Sequence, residues 1–367
     1  MKFSVSREAL LKPLQLVAGV VERRQTLPVL ANVLIVLEQD RLSMTGTDLE
    51  VEIVARVQLA EACETGGELT VPARKLVDIC RSLPDDAILH FSEENQRVIL
   101  KSGRSRFTLS TLPANDFPNV EQGTGDLQFT CEQQDIKRLI DRTGFAMAQQ
   151  DVRYYLNGML WEVQEGQLRA VATDGHRLAM CTRAVSVSTA GTTQAILPRK
   201  GVIELARLLD GQGSVEVVLG SNHIRVATEA YTFTSKLVDG KFPDYERVLP
   251  KGGNKLVFGD RNDLRQAFGR TAILSNEKYR GVRLLLTDGQ LTIVANNPEQ
   301  EEAEEQVAVD YSGDQLEIGF NVSYLQDVTG VLSSDNIKMT LSDSNSSALL
   351  EEPDGGDSVY VVMPMRL

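Results

Sequence analysis

Cysteine, histidine, aromatic side chains and net positive charge are all scarce in this sequence. Its four cysteines (Cys63, Cys80, Cys131, Cys181) are scattered through 367 residues with no CxxC pair. Such spacing argues against a disulfide framework or a zinc site and fits a reducing cytoplasm. The three histidines (His90, His176, His223) are equally dispersed, and no metal or other cofactor is expected. No apolar run approaches the ~18 residues that a membrane-spanning helix needs, so no membrane partner is expected. The first residues, Met1-Lys2-Phe3-Ser4-Val5-Ser6-Arg7-Glu8, lack the apolar stretch of a secretory signal. No GxxxxGK followed by Ser or Thr occurs, which excludes ATP hydrolysis by a P-loop. Lys and Arg number 38 against 51 Asp and Glu, a net charge of −13, which excludes a basic coat over the whole surface. Aromatics are 5% of the chain, yet 42% of it is hydrophobic, enough for packed cores.

What the chain does have is internal repetition. Phe3 and Val5 alternate as in a strand, then Leu10, Leu11, Leu14 and Val17 take helical spacing, with Ser6 as N-cap. Pro13 inside that helix is expected to bend or shorten it. Leu127, Phe129 and Cys131, followed by Ile136, Leu139 and Ile140, repeat the pattern, as do Leu256, Phe258, Leu264, Ala267 and Phe268. Three strands come next in each block: 34–37, 42–48 and 51–57; then 158–163, 168–174 and 178–185; then 282–286, 291–297 and 304–309. Thr47-Asp48 corresponds to Thr173-Asp174, and Asn296-Asn297 takes that place in the third block. A second helix follows, after Pro72, after Pro198, and around Tyr324, Leu325, Val328 and Leu332. Asp116-Phe117-Pro118-Asn119 and Lys241-Phe242-Pro243-Asp244 close the first two blocks, and Tyr360 to Met363 closes the third. Ordered recurrence of four segments predicts three similar α+β domains, each with two helices and many strands. Polar or Pro/Gly-rich linkers at Glu121 to Asp126 and Pro250 to Lys255 divide them at 1–124, 126–250 and 252–367. Three such units could form an open arc with unlike ends, and head-to-tail pairing of two arcs can close a ring.

Charge is distributed unevenly. The six helical segments together carry +5, which leaves −18 for the rest of a chain whose total is −13. Basic helices on an acidic protein suit a polyanion contacted along one face; ordinary surface Lys and Arg are the alternative. Arg97, Lys101, Arg104 and Arg106 crowd the first unit, and Glu299, Glu301, Glu302, Glu304 and Glu305 crowd the third. Opposite signs on opposite ends suit a heterologous contact. Adhesion would then come from Phe107, Leu109, Ile273 and Leu274.

Longer motifs identify a family. The runs Gln150-Asp151-Val152-Arg153-Tyr154-Tyr155-Leu156-Asn157-Gly158-Met159-Leu160 and Thr173-Asp174-Gly175-His176-Arg177-Leu178 resemble those of the bacterial DNA polymerase III β subunits, the sliding clamps. So do Ile273-Leu274-Ser275-Asn276-Glu277-Lys278 and Val361-Val362-Met363-Pro364-Met365-Arg366-Leu367. The resemblance spans essentially the whole chain. It implies a homodimer whose six domains form a ring, helices inside and antiparallel sheets outside, around double-stranded primer-template DNA. It also implies that polymerases, the clamp loader and other proteins carrying a short clamp-binding peptide dock between the second and third domains.

By the same resemblance, DNA contacts fall to Arg24, Arg74, Gln150, Tyr154, Tyr155, Arg199 and Lys200. The cations would hold phosphates without reading sequence, and the tyrosines would stack on an unpaired base; core or interface tyrosine is the other reading. The peptide pocket maps to Leu156, Thr173, Gly175, His176, Arg177, Leu178, Pro243, Arg247, Val248, Asn321, Tyr324, Ser347, Val361, Met363, Pro364, Met365 and Arg366. Asn345 stands at its edge where related clamps carry an apolar residue. The dimer interface maps to Phe107, Leu109, Ile273 and Leu274 with the charged rims Arg97, Arg104, Arg106, Glu299, Glu301 and Glu304. Two other classes compete. Asp174 beside His176 and Arg177 could serve acid–base chemistry, but no nucleophile or metal cluster accompanies them. A monomeric nucleic-acid-binding module would also explain basic helices.

Overall fold

The computed structural model describes residues 1–22, 27–63, 65–118 and 125–366. Arg24 and residues 121–124 of the first expected linker lie outside them. The first repeat runs β1 (Lys2–Ser6), α1 (Arg7–Gly19), β2 (Asn32–Glu38), β3 (Arg41–Thr47), β4 (Val51–Gln58), β5 (Gly67–Pro72), α2 (Ala73–Ser82), β6 (Ile88–Glu94), β7 (Arg97–Ser102) and β8 (Ser105–Ser110). The second runs β9 (Leu127–Glu132), α3 (Gln133–Thr143), β10 (Gly158–Gln164), β11 (Gln167–Thr173), β12 (Arg177–Ala184), β13 (Thr193–Pro198), α4 (Arg199–Leu208), β14 (Ser214–Leu219), β15 (His223–Ala227) and β16 (Tyr231–Lys236). The third runs β17 (Lys255–Asp260), α5 (Arg261–Thr271), β18 (Gly281–Thr287), β19 (Gln290–Asn296), β20 (Glu302–Asp310), β21 (Leu316–Asn321), α6 (Val322–Val331), β22 (Asn336–Leu341), β23 (Ala348–Glu351) and β24 (Ser358–Val362). The order of elements is the same in all three.

Local chemistry sets the helix starts. Ser6 Oγ accepts from the Ala9 N–H at 3.2 Å, Asp260 Oδ1 from Asn262 and Asp263 at 2.8 and 2.9 Å, and Asn321 Oδ1 from Ser323 at 2.9 Å. Of the two effects expected of Pro13, bending or shortening, shortening does not occur: α1 is the longest of the six, at 13 residues. Leu10 on one side of Pro13, and Leu14 and Val17 on the other, are all buried and hold both turns against β3 and β4.

The Thr-Asp pairs of the first two repeats build the same turn. Thr47 Oγ1 donates to Val51 O and accepts from Leu49 N, while Asp48 Oδ1 accepts from Glu50 N and Val51 N. Thr173 Oγ1 donates to Arg177 O and accepts from Gly175 N, while Asp174 Oδ1 accepts from His176 N and Arg177 N. Each turn needs positive φ at its third residue, 77° at Leu49 and 89° at Gly175. The Asp174 hydrogen bonds therefore serve the turn and do not involve the His176 ring.

The chain packs as two compact units, Met1–Gln134 with Lys200–Leu237, and Asp135–Arg199 with Val238–Leu367. The middle repeat contributes to both. The first unit holds an antiparallel four-stranded sheet, β1-β6-β7-β8, and an eight-stranded one, β5-β2-β3-β4-β16-β15-β14-β9. The second holds one twelve-stranded sheet, β13-β10-β11-β12-β24-β23-β22-β17-β20-β19-β18-β21. Each sheet is assembled from four-stranded halves of the repeats. β4 joins β16 with Ile53 opposite Phe233, and β12 joins β24 with Leu178 opposite Val361. These are equivalent strands in successive repeats. Two such edges have no full-length partner of this kind: β8 ends its sheet, and β20 meets β17 only through Val309 and Asp310.

Close approach of α1 to β3 depends on one glycine: a Cβ on Gly46 would stand 2.6 Å from the Val17 carbonyl oxygen. Gly46→Ala is expected to cost about 1–3 kcal/mol through overpacking, measured by urea unfolding; unchanged stability would show that the helix yields at no cost.

Candidate functional site

A cavity of about 300 Å³ lies in the second unit. Leu156, Thr173, Gly175, Arg177, Leu178, Pro243, Val248, Val361 and Met363 line it, nine residues that the resemblance assigns to the peptide pocket. Its floor belongs to a buried apolar cluster that includes Leu156, Leu160, Val171, Leu178, Phe242, Tyr245 and Val361. The turn after β11 and the β12–β24 pairing bring Thr173, Leu178 and Val361 to one place although 183 residues separate Leu178 from Val361. Met363 is tied in by its N–H to the His176 carbonyl at 2.9 Å.

Two cations stand in the wall, and both are already engaged. Arg177 Nε donates to Asp174 at 3.1 Å and Nη2 to the Phe145 carbonyl at 2.8 Å; Nη1 pairs with Asp327. Its guanidinium also lies 4.4 Å from the Tyr324 ring centroid and 5.2 Å from that of Phe145. Arg153 makes a bidentate pair with Asp151, at 3.0 and 2.8 Å, and reaches the Asp174 carbonyl at 3.2 Å. Those hydrogen bonds hold the Asp151 carboxyl down to about 2. A Cβ on Gly175 would sit 2.9 Å from this guanidinium, so glycine there makes room for it as well as for the turn. With its charges neutralised, the cavity is suited to an apolar side chain.

Arg153, Tyr155 and Tyr245 complete the wall without having been assigned to it. Tyr155 had been grouped with the DNA contacts. Tyr245 rests on a polar network behind the floor: its hydroxyl donates to Glu162 at 2.7 Å and accepts from Arg169 at 2.8 Å, while Gln194 donates to Glu162 at 2.7 Å. Burial, and the adjacent Glu162 carboxylate against the pull of Arg169, push Tyr245 up to about 12. The Lys241-Phe242-Pro243-Asp244 segment that closes the second block lies directly before Tyr245 but does not point to it.

A second cavity, about 480 Å³, shares Val248 and includes Arg247 and Ser347 together with Leu249, Pro250, Lys251 and Gly253. The Pro/Gly-rich linker thus forms a wall. The remaining pocket residues line neither cavity. His176 is exposed, Asn321 caps α6, Tyr324 stacks on Arg177, and Pro364, Met365 and Arg366 follow the last strand. Asn345 is also outside both, in a turn where its N–H donates to Asp343 at 2.8 Å.

Of the expected DNA contacts, Arg74 is exposed on the first turn of α2, and Gln150 is exposed at positive φ. Tyr154 is 56% exposed and meets Tyr155 edge to face at 5.7 Å. Arg199 starts α4 and donates to the Met147 carbonyl at 3.3 Å. Lys200 is more committed than expected, paired with Asp48 and, at 2.7 Å, with Glu22. Burial opposes its charge, but these two carboxylates prevail and raise its pKa. With the observed boundaries the six helices carry +7, since Arg261 falls inside α5 and Glu132 outside α3. At the expected interface, Ile273 is 75% exposed, while Phe107 and Leu274 are half-buried. Leu109 is 7% exposed, turned by β8 toward the core of its own unit. Arg97, Arg104, Arg106, Glu299, Glu301 and Glu304 are all exposed. Among the described residues no cluster of His, Cys, Asp and Glu could hold a metal, and no helix is long and apolar enough to cross a membrane.

The last strand, which supplies Val361, is anchored by Asp357. Arg138 Nη2 reaches it at 3.2 Å and Arg183 Nη1 at 3.1 Å. Burial works against its charge, but the hydrogen bonds from Arg138, Ser358 and Arg183 hold it at about 2. A depressed carboxyl pKa stabilises the fold above its ordinary value near ~4, and the contribution disappears as pH falls toward the folded value. Asp357→Asn should therefore cost about 1–3 kcal/mol at neutral pH. The gap to the parent protein should narrow between pH 4 and 2 in urea titrations; a gap independent of pH contradicts this assignment.

Comparison with known proteins matches this architecture. Family profiles of the DNA polymerase III beta subunit match in three parts: the N-terminal domain over residues 1–121, the central domain over 130–244 and the C-terminal domain over 246–366. A "Beta sliding clamp" of Pseudomonas aeruginosa is 67% identical over 368 residues, covering 100% of each chain. That of Escherichia coli strain K12 is 55% identical, again covering 100% of each. The crystal structure of the Pseudomonas aeruginosa DNA polymerase III subunit beta has a TM-score of 0.95 at 66% identity, and Caulobacter crescentus pol III beta one of 0.92 at 40%, each covering 100% of both chains. The chain belongs, over nearly its full length, to the DNA polymerase III beta subunit family, the sliding clamps.

Proposed function

We propose that this protein is the processivity subunit of a bacterial replicative DNA polymerase, acting in the cytoplasm as a homodimeric ring around duplex DNA. The observation that carries the reading is the accounting of strand edges. β4 pairs with β16 and β12 with β24, so the equivalent partner for β20 is β8, and within one chain that pairing is not made. A second copy supplies it at each end, head to tail, and two copies close. Arg104 and Arg106 flank or lie on one edge and Glu302 and Glu304 lie on the other, which gives the pairing its direction. Ile273 and Phe107 supply apolar contact beside it. The domains are taken at 1–124, 126–250 and 252–367.

Such a ring carries out no chemistry. Its contribution is effective concentration: a polymerase that releases the primer end stays beside it. Arg74, Arg199 and Lys200, with Arg24, would touch phosphates without reading bases, and Gln150 and Tyr154 would meet the duplex or an unpaired base. The two cavities that share Val248 suit a short peptide carrying Leu or Phe side chains, the common handle of polymerases, clamp loader and other partners. Tyr155 fits the cavity wall better than the DNA role.

Two experiments test this reading. In size-exclusion chromatography with light scattering, the protein should have twice its 40.4 kDa chain mass, and Ile273→Asp should shift it toward one chain; a single-chain mass for the parent protein overturns the ring. In fluorescence anisotropy with a labelled Leu- and Phe-bearing clamp-binding peptide, Met363→Asp should weaken binding at least about tenfold by placing a charge at an apolar wall. Wild-type affinity in that variant would remove the cavity from the proposal.

A further inference from the structure

One face of the eight-stranded sheet in the first unit carries three arginines: Arg41 on β3, Arg56 on β4 and Arg225 on β15. Strand alternation puts them opposite the buried Leu42, Ala55 and Ile224. All three line one cavity of about 520 Å³. Arg56 Nη2 donates to Thr232 Oγ1 at 2.9 Å. Arg225 Nε is buried and has no hydrogen-bond partner among the described residues, a condition that native interiors rarely tolerate. Burial first, then the Arg225 and Arg41 charges, lower the Arg56 pKa, so the strongest charges acting on this guanidinium are like charges.

Three guanidinium groups lining one cavity, one of them with a buried free Nε–H, supply the kind of donors that oxyanions require. The cavity also includes Glu216, which accepts a hydrogen bond from Gln128, and Glu229. These carboxylates keep its net charge small, which disfavours a polyanion such as the DNA backbone and favours one compact anion. We propose that this cavity is an oxyanion site that binds a single phosphate group through Arg41, Arg56 and Arg225. It lies in the other unit from the peptide cavities and does not depend on their assignment.

The test is isothermal titration of inorganic phosphate, and separately of phosphoserine, into the full-length protein, with ionic strength held constant by NaCl. Saturable binding of inorganic phosphate is expected, and Arg56→Gln and Arg225→Gln should each weaken it about tenfold. Arg41→Gln, at an exposed position, should weaken it without disturbing the fold, and peptide binding at the other cavities should be unaffected. Comparable affinity for phosphoserine assigns the site to esterified phosphate, and affinity for inorganic phosphate alone assigns it to the free ion. Heats no larger than those of matched NaCl, or binding that survives in the Arg41→Gln/Arg225→Gln double variant, overturn the proposal.

Discussion

Everything in this fold follows from the need to satisfy the edges of β-sheets. An exposed strand edge is a row of unpaired N–H and C=O groups, and proteins either cover it or use it. Each repeat here has two four-stranded halves, and all but β1-β6-β7-β8 are merged into larger sheets. The solution is to merge a half of one repeat with a half of the next, β4 with β16 and β12 with β24. Merging leaves β8 and most of β20 as edges. The same rule applied once more is the basis for the proposed second molecule.

The site inherits its position from one of these seams. Leu178 and Val361 face each other across the β12–β24 pairing, and the turn before β12 brings Thr173 and Gly175 to the same mouth. Around this apolar patch, every charged group in the wall is paired: Arg153 with Asp151, Arg177 with Asp174 and Asp327. Pairing keeps the guanidinium groups in fixed places while their neutralised charge lets the floor remain attractive to hydrocarbon. At the homologous turn of the first repeat, Leu49 stands in place of Gly175 and Val51 in place of Arg177. Repetition supplies the frame, and a few substitutions convert one junction into a site.

Much of this was legible in the sequence because it is local. Alternation of Phe3 with Val5 and of Leu127, Phe129 and Cys131, caps such as Ser6, and the Thr-Asp turns depend only on near neighbours. Recurrence of the same segments gave the number of repeats. Partnership between strands was not legible: nothing within 51–58 says that its partner lies near 233, and merging into eight- and twelve-stranded sheets depends on that pairing. Pro13 does not shorten its helix because packing on both sides of it outweighs the lost backbone hydrogen bond. Leu109 shows the same limit from the other side: a strand residue with apolar character looks the same in sequence whether it faces its own core or a partner. Lys200 came from the family resemblance, which does not show that Asp48 and Glu22 pair with it. Tyr245 and Arg153 escaped notice because their roles depend on partners distant in sequence, or on the absent side chain of Gly175.

Native-state hydrogen exchange on the assembled protein tests the edge-pairing account most directly. If β8 of one molecule completes β20 of another, the outward-facing amides of both strands are protected to a degree comparable with β16 and β24, and Ile273→Asp exposes them selectively. Fast exchange along both edges in the undiluted parent protein, with β16 and β24 still protected, would contradict it.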